Sequence, residues 1–198
     1  MSLIGDFFRT PKRSAAFEGY ETASNTFDEA LAAIDSYSIE AIHRLEDFTV
    51  TRQCKNYTSA ELEAHTGAID HLKSKYDILC AAYNALPLDH RLFPVTNKLH
   101  TTYGESFVFA VEAFAHAGRL SVMTALSGKA QNAKDEAKLW LLNIANPHRP
   151  ASEQATHEKK ATAMANNISI DAAKFTLLEQ KGMAAEEKAN ALLAVLTR

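Results

Sequence analysis

Apolar residues recur every three or four positions along most of this chain, which is the spacing of one face of an α-helix. The clearest example is a seam in residues 62–86, where inward positions alternate three and four apart as in a coiled coil or helical bundle. Its members are Leu62, His65, Ile69, Leu72, Tyr76, Leu79, Tyr83 and Leu86. No segment shows a convincing strand pattern. The sequence therefore predicts an all-α fold.

Start and stop signals divide this pattern into a bundle of six to seven helices. Three Thr-x-x-Glu sequences have the form of a capping box, in which each side chain satisfies a free backbone N–H at a helix start. They are Thr26 with Glu29, Thr58 with Glu61, and Thr102 with Glu105. Pro87, Gly128 and Gly182 are expected to end helices. Residues 87–101 are expected to form an irregular loop.

The domain organisation predicted from this division is an N-terminal arm, residues 1–25, followed by a helical bundle, residues 26–198. A sub-boundary is expected near residues 147–151, where Pro147 and Pro150 bracket a turn. The helix after Thr102 is apolar around most of its circumference and is expected to be central. In the following helix the inward side chains are predicted to be Ala133, Ala137, Trp140, Leu141 and Ile144.

Composition and charge narrow the possible functions. The 198 residues are 46% hydrophobic and 23% charged, which is typical of a folded domain. The 21 basic and 24 acidic residues leave a net charge of −3, whereas nucleic-acid binding normally needs a basic surplus. The chain shows neither a signal peptide nor a stretch apolar enough for stable membrane insertion. We expect a location in the cytoplasm, or inside a particle assembled there.

One candidate metal site comes from Glu-x-x-His spacing, which places a carboxylate and an imidazole on one helical face. Glu40 and His43 have this spacing, and Glu112 and His116 are four apart. Ferritin-like di-iron bundles use two Glu-x-x-His pairs with two further glutamates, and this chain supplies only one pair. Surface polar pairs are the favoured interpretation, and a metal- or haem-binding bundle remains the alternative.

The sequence contains no recognisable motif for nucleophilic catalysis or for phosphate binding. It contains no GxSxG, GxGxxG or GxxxxGK[ST], and Cys54 and Cys80 do not form a CxxC. His65 occupies a seam position, where an imidazole more often serves as a core residue that specifies helix register. These observations favour a non-enzymatic protein without a cofactor.

The first thirteen residues form a candidate docking segment. Leu3, Ile4, Phe7 and Phe8 fall at helical spacing, and three basic residues follow them. Such a segment can dock into a partner's groove or fold back on its own bundle. Together with the long seam, it favours a structural or interaction protein: an oligomeric scaffold, an adaptor or a particle component. The expected partner is protein, as a homo-oligomer or a larger assembly; a small regulatory or inhibitor protein is the second alternative.

Overall fold

The computed structural model describes residues 11–51 and 57–196, with the side chains of residues 11–14, 48 and 51 excepted. These ranges contain five α-helices, one 3₁₀ turn and no strand, so the all-α prediction is confirmed with fewer and longer helices than expected. The helices are α1 Pro11–Thr51, α2 Ser59–Ala85, α3 Leu88–Arg91, α4 Pro94–Ala145 and α5 Ala151–Leu196. The 3₁₀ turn Asn146–His148 joins α4 to α5, where the two prolines predicted a turn.

The capping box of α2 forms as predicted. The backbone N–H of Glu61 donates to Thr58 Oγ1 at 3.2 Å, and the backbone N–H of Thr58 donates to Glu61 Oε2 at 2.8 Å. Thr58 itself has the extended backbone of an N-cap residue, so the chain enters the helix only after it.

The other two predicted capping boxes are wrong, because both threonines lie inside long helices. Thr26 lies in α1 and donates its hydroxyl to the carbonyl oxygen of Ala23 at 3.0 Å. Thr102 lies in α4 and donates to the carbonyl oxygen of Lys98 at 3.0 Å. A threonine hydroxyl can bond back to the preceding helical turn as readily as it caps, so the motif alone does not mark a boundary.

Two predicted stops, Gly128 and Gly182, are also wrong, since both are contact points between α4 and α5. A Cβ on Gly182 would lie 2.7 Å from the carbonyl oxygen of Gly118, and a Cβ on Gly118 would lie 2.8 Å from that of Gly182. A Cβ on Gly128 would overlap the ring of Phe175. These glycines are needed for the close approach of two helices rather than for a chain reversal.

The first helix begins at Pro11, whereas the sequence predicted that the bundle begins at residue 26. Residues 11–25 belong to α1, and Tyr20 and Ala23 are buried in the core. Residues 87–101, predicted as a loop, instead contain α3 and the first two turns of α4. Pro94 occupies the first turn of α4, where its missing N–H costs nothing.

A four-helix bundle forms from α1, α2, the first half of α4 and the second half of α5. Contacts between aromatic rings show how the helices of the bundle run relative to one another. The Phe27 ring lies 5.2 Å from that of Tyr103, and the Tyr76 ring lies 4.5 Å from that of Phe107. With His65 stacked on Tyr37 at 5.7 Å and 5.2 Å from the ring of Phe114, these contacts make α2 antiparallel to both α1 and α4. The predicted seam of α2 faces this core: six of its members are buried, and Tyr76 and Tyr83 pack against them.

The second half of α4 and the first half of α5 continue past the bundle as a two-helix hairpin. We call residues 126–177 the distal hairpin. Within it Asn132 alone is buried, whereas the bundle encloses Phe27, Ile34 and Phe107 almost completely. At 1.5 Å per residue, the α4 part of the hairpin projects about 30 Å. None of the helices within residues 11–51 and 57–196 combines the length and apolar content needed to cross a bilayer.

Candidate interaction surface

In the first metal candidate, Glu40 and His43, the carboxylate of Glu40 forms an ion pair with Arg44. The Arg44 side chain is 8% exposed, and its guanidinium donates to Glu61 Oε1 at 2.9 Å and also to Glu40. These hydrogen bonds raise the pKa of Arg44 against the opposing effect of burial, which is the largest influence. Glu40 and His43 are both exposed on α1. Glu40 therefore acts in the structure as a counter-ion for a buried cation.

The second metal candidate lies on α4, where Glu112 is exposed and His116 is half-buried. Across residues 11–51 and 57–196, no three His, Cys, Asp or Glu side chains come together in a group that could hold a metal ion. The metal alternative thus gains no support from the part of the chain that is described.

His65 is enclosed in the bundle core. Its ring is fully buried, stacked on Tyr37 and 5.2 Å edge-on from the ring of Phe114. Neither ring nitrogen has a hydrogen-bond partner among the described residues. Burial lowers the pKa of His65 to about 4, so the imidazole is neutral at pH 7. The neutral ring lies between two aromatic side chains, where it fills space in the core and has no exposed surface.

The free thiol of Cys80 is half-buried on α2, and burial raises its pKa, which lowers its thiolate fraction at neutral pH. Cys54 lies outside the described residues. The structure therefore describes one cysteine, in a setting that disfavours nucleophilic reactivity.

The predicted docking residues Leu3, Ile4, Phe7 and Phe8 lie outside the described residues. The bundle end that adjoins the start of α1 carries a group of exposed apolar side chains, namely Leu88, Leu92, Phe93 and Val95. Phe17 of α1 borders this group, with its ring 6.3 Å from that of His90.

The inner face of the distal hairpin is a narrow seam. Its less exposed positions follow steps of three and four along both helices: Gly128, Asn132, Asp135, Leu139 and Leu142 on α4, and Gln154, His157, Ala161, Met164, Ile168, Asp171 and Phe175 on α5. The Asn132 side-chain amide donates to the carbonyl oxygen of Ile168 at 3.1 Å. A polar residue at a seam position fixes the register of two helices at some cost in stability.

The outer face of α4 in this hairpin carries a second apolar row, which we call the outer stripe. Its members are Leu126, Ala130, Ala133, Ala137, Trp140, Leu141 and Ile144, all exposed. The large ones are 51% exposed at Leu126, 63% at Trp140, 59% at Leu141 and 49% at Ile144. Trp140 is also the only tryptophan of the chain. Exposed apolar surface that is grouped on one face marks a contact site more often than scattered residues do.

The prediction that Ala133, Ala137, Trp140, Leu141 and Ile144 point inward is therefore wrong, since all five are exposed. The helix was correctly expected, but Leu139 and Leu142 face α5 and the other apolar side chains face away from it. One signal was present in the sequence: residues 139–142 are four consecutive apolar positions, and a single helix face cannot hold all four. The sequence-based prediction assigned a single apolar face to this helix, whereas the helix has two.

Exposed apolar side chains occur on α5 as well. Ile170 is 65% exposed, on the side of α5 that faces away from α4. Near the end of α5, Val195 is exposed, whereas Leu192, Leu193 and Leu196 pack against the core.

The charges along the outer stripe are largely compensated within the chain. Lys138 pairs with Asp135 at 2.7 Å, and Lys129 pairs with Glu179 across the hairpin. The hydrogen bond from Lys138 lowers the pKa of Asp135, so this carboxylate stays ionised. Lys129 and Lys138 therefore add no unpaired positive charge beside the stripe.

Comparisons of the chain with protein-family models, with curated proteins and with solved structures gave no match.

Proposed function

We propose that this chain is a non-enzymatic structural or interaction protein, an oligomeric scaffold, adaptor or particle component, that presents the outer stripe to another protein. One observation carries the proposal: three large apolar side chains, Trp140, Leu141 and Ile144, are exposed together on a helix whose opposite face is already packed. Tryptophan in particular is enriched among residues that dominate binding energy at protein interfaces.

The construction of the hairpin supports this role. The stripe lies on a continuous helix held in register by Asn132 and tied to α5 by the Lys129–Glu179 pair, so it is presented in one conformation. A preorganised surface loses less conformational entropy on binding than a flexible segment does. The bundle anchors the base of the hairpin through the close contact of Gly118 with Gly182.

Site-specific photo-crosslinking tests the proposal. A photoreactive amino acid is placed at Leu141 on the stripe, or at Ile170, which is equally exposed in the same hairpin but on the opposite side. In cells that make the protein, we expect a discrete higher-mass adduct from position 141 and none from position 170. Equal labelling from both positions, or no adduct from position 141, would exclude the stripe as an interaction surface.

A further inference from the structure

Six of the seven positions of the outer stripe match a reversed copy of themselves. Leu126, Ala130, Ala133, Ala137, Trp140 and Ile144 follow steps of four, three, four, three and four. This series reads the same in both directions, so two antiparallel copies of α4 can align with each of these six residues opposite another, while Leu141 lies opposite Lys129. The register places residue i of one copy opposite residue 270 − i of the other, as a two-fold axis requires.

The side-chain sizes also fit this register. Leu126 meets Ile144 of the other copy at each end, and Trp140 meets Ala130, so the largest side chain faces a small one. Ala133 meets Ala137 around the axis, where small side chains let the two helix backbones come close. Large opposite small is the arrangement that fills space between packed helices.

The exposed area is sufficient for a modest dimer. The four large side chains of the stripe are each about half exposed or more. An aromatic side chain presents about 150–250 Å² and an aliphatic one less, so the stripe with its alanines offers at most about 500–600 Å² per copy. The total of about 1,100 Å² exceeds the roughly 1,000 Å² expected of a biological interface and lies in the range of weak or transient complexes. The paired charges Lys138–Asp135 and Lys129–Glu179 border the stripe in each copy without a surplus of one sign.

The described start of α1 lies far from the stripe. The Tyr20 ring lies 6.5 Å from that of His100, so this part of α1 packs beside the beginning of α4. Ala130 is thirty residues further along α4, a distance of about 45 Å. None of the described residues covers the stripe, whose members are all exposed.

We propose that the partner of the outer stripe is a second copy of this chain, packed antiparallel so that the two distal hairpins form an intermolecular four-helix arrangement. This inference rests on the proposed function and specifies its partner. Burial of Trp140 against Ala130 of the other copy supplies the largest contact on each side of the axis.

The first test measures mass and Trp140 emission together on the purified full chain. We expect light scattering to give a monomer–dimer equilibrium, with the tryptophan emission shifting to shorter wavelength as concentration rises. The double variant W140E/L141E should raise the dissociation constant at least about a hundredfold, whereas Ile170→Glu should leave it within about threefold. A monomer at every concentration, or a dimer whose dissociation constant W140E/L141E leaves unchanged, would overturn the inference.

The second test determines which residues of the two copies lie opposite each other. In a C54S/C80S background, Ala133→Cys and Ala137→Cys chains are oxidised separately and as an equal mixture. The antiparallel register predicts that the mixed 133–137 disulfide forms several times faster than either symmetric disulfide, because only that pair lies at bonding distance. Preference for the symmetric disulfides would overturn the register. A photo-adduct at position 141 whose mass identifies a different protein, together with a monomer in light scattering, would retain the proposed function and reject the second copy.

Discussion

The four-helix bundle and the distal hairpin share two helices but distribute their apolar side chains differently. In the bundle, α4 directs Phe107, Val111 and Phe114 into a core closed by three other helices. In the hairpin, α4 has only α5 beside it, and Trp140, Leu141 and Ile144 remain exposed. A helix flanked by one neighbour buries one narrow face, so a second apolar face stays exposed. The difference separates the part that holds the fold together from the part available for contact.

The largest expected effect contrasts one aromatic residue from each region. Phe114→Ala should lower the free energy of unfolding by about 3–5 kcal/mol, because it leaves a cavity in a filled core. Trp140→Ala should change it by less than about 0.5 kcal/mol at concentrations where the chain is monomeric. Chemical denaturation of both variants measures this difference. Similar losses would show that the hairpin and the bundle share one core.

The second prediction concerns the buried imidazole of the bundle. Because the folded state holds the pKa of His65 at about 4, against 6.5 when unfolded, the unfolded chain binds the proton more readily. The contribution of a neutral His65 is complete above pH 6.5 and is lost as pH falls from 6.5 towards 4, by up to about 3 kcal/mol. His65→Leu should remove this part of the pH dependence. Identical pH profiles for the wild type and the variant would contradict it.

A third comparison tests the close helix contact at the base of the hairpin. Gly182→Ala should destabilise the protein by about 1–3 kcal/mol, since its Cβ would press against the carbonyl oxygen of Gly118. Gly67→Ala is the matched control: this glycine is also helical, but nothing lies within 4 Å of the added carbon. There the better helix propensity of alanine should stabilise by up to about 1 kcal/mol. Thermal unfolding should therefore shift in opposite directions for the two variants.

The smallest expected effect is confined to the hairpin. Asn132→Ala removes the hydrogen bond to Ile168 and should cost about 1 kcal/mol. Because the hairpin has little core of its own, we expect faster hydrogen exchange at the amides around residues 128–142, with bundle amides unchanged. An equal increase throughout the molecule would mean that the two regions unfold as one unit.

Much of the fold could be predicted because it depends on local spacing. The period of the apolar residues identified the helices, and the α2 seam from Leu62 to Leu86 pointed inward as expected. The capping box of Thr58 and Glu61 was correct because both partners lie within one turn. Of the candidate sites, Glu40, His43, Glu112 and His116 were named on spacing alone. Spacing also places Arg44 one turn after Glu40, but it gave no information about Glu61, which Arg44 binds from the next helix.

The sequence by itself determined that the chain is helical, because helical periodicity and propensity act between residues a few positions apart. Only the tertiary structure decided which helices continue past a local stop signal and which way their second apolar faces point. Gly182 looks like a stop until Gly118 of another helix lies against it. Trp140 looks like a core residue until the bundle ends short of it. Both outcomes depend on what lies across a helix interface from residues distant in sequence, which no local pattern records.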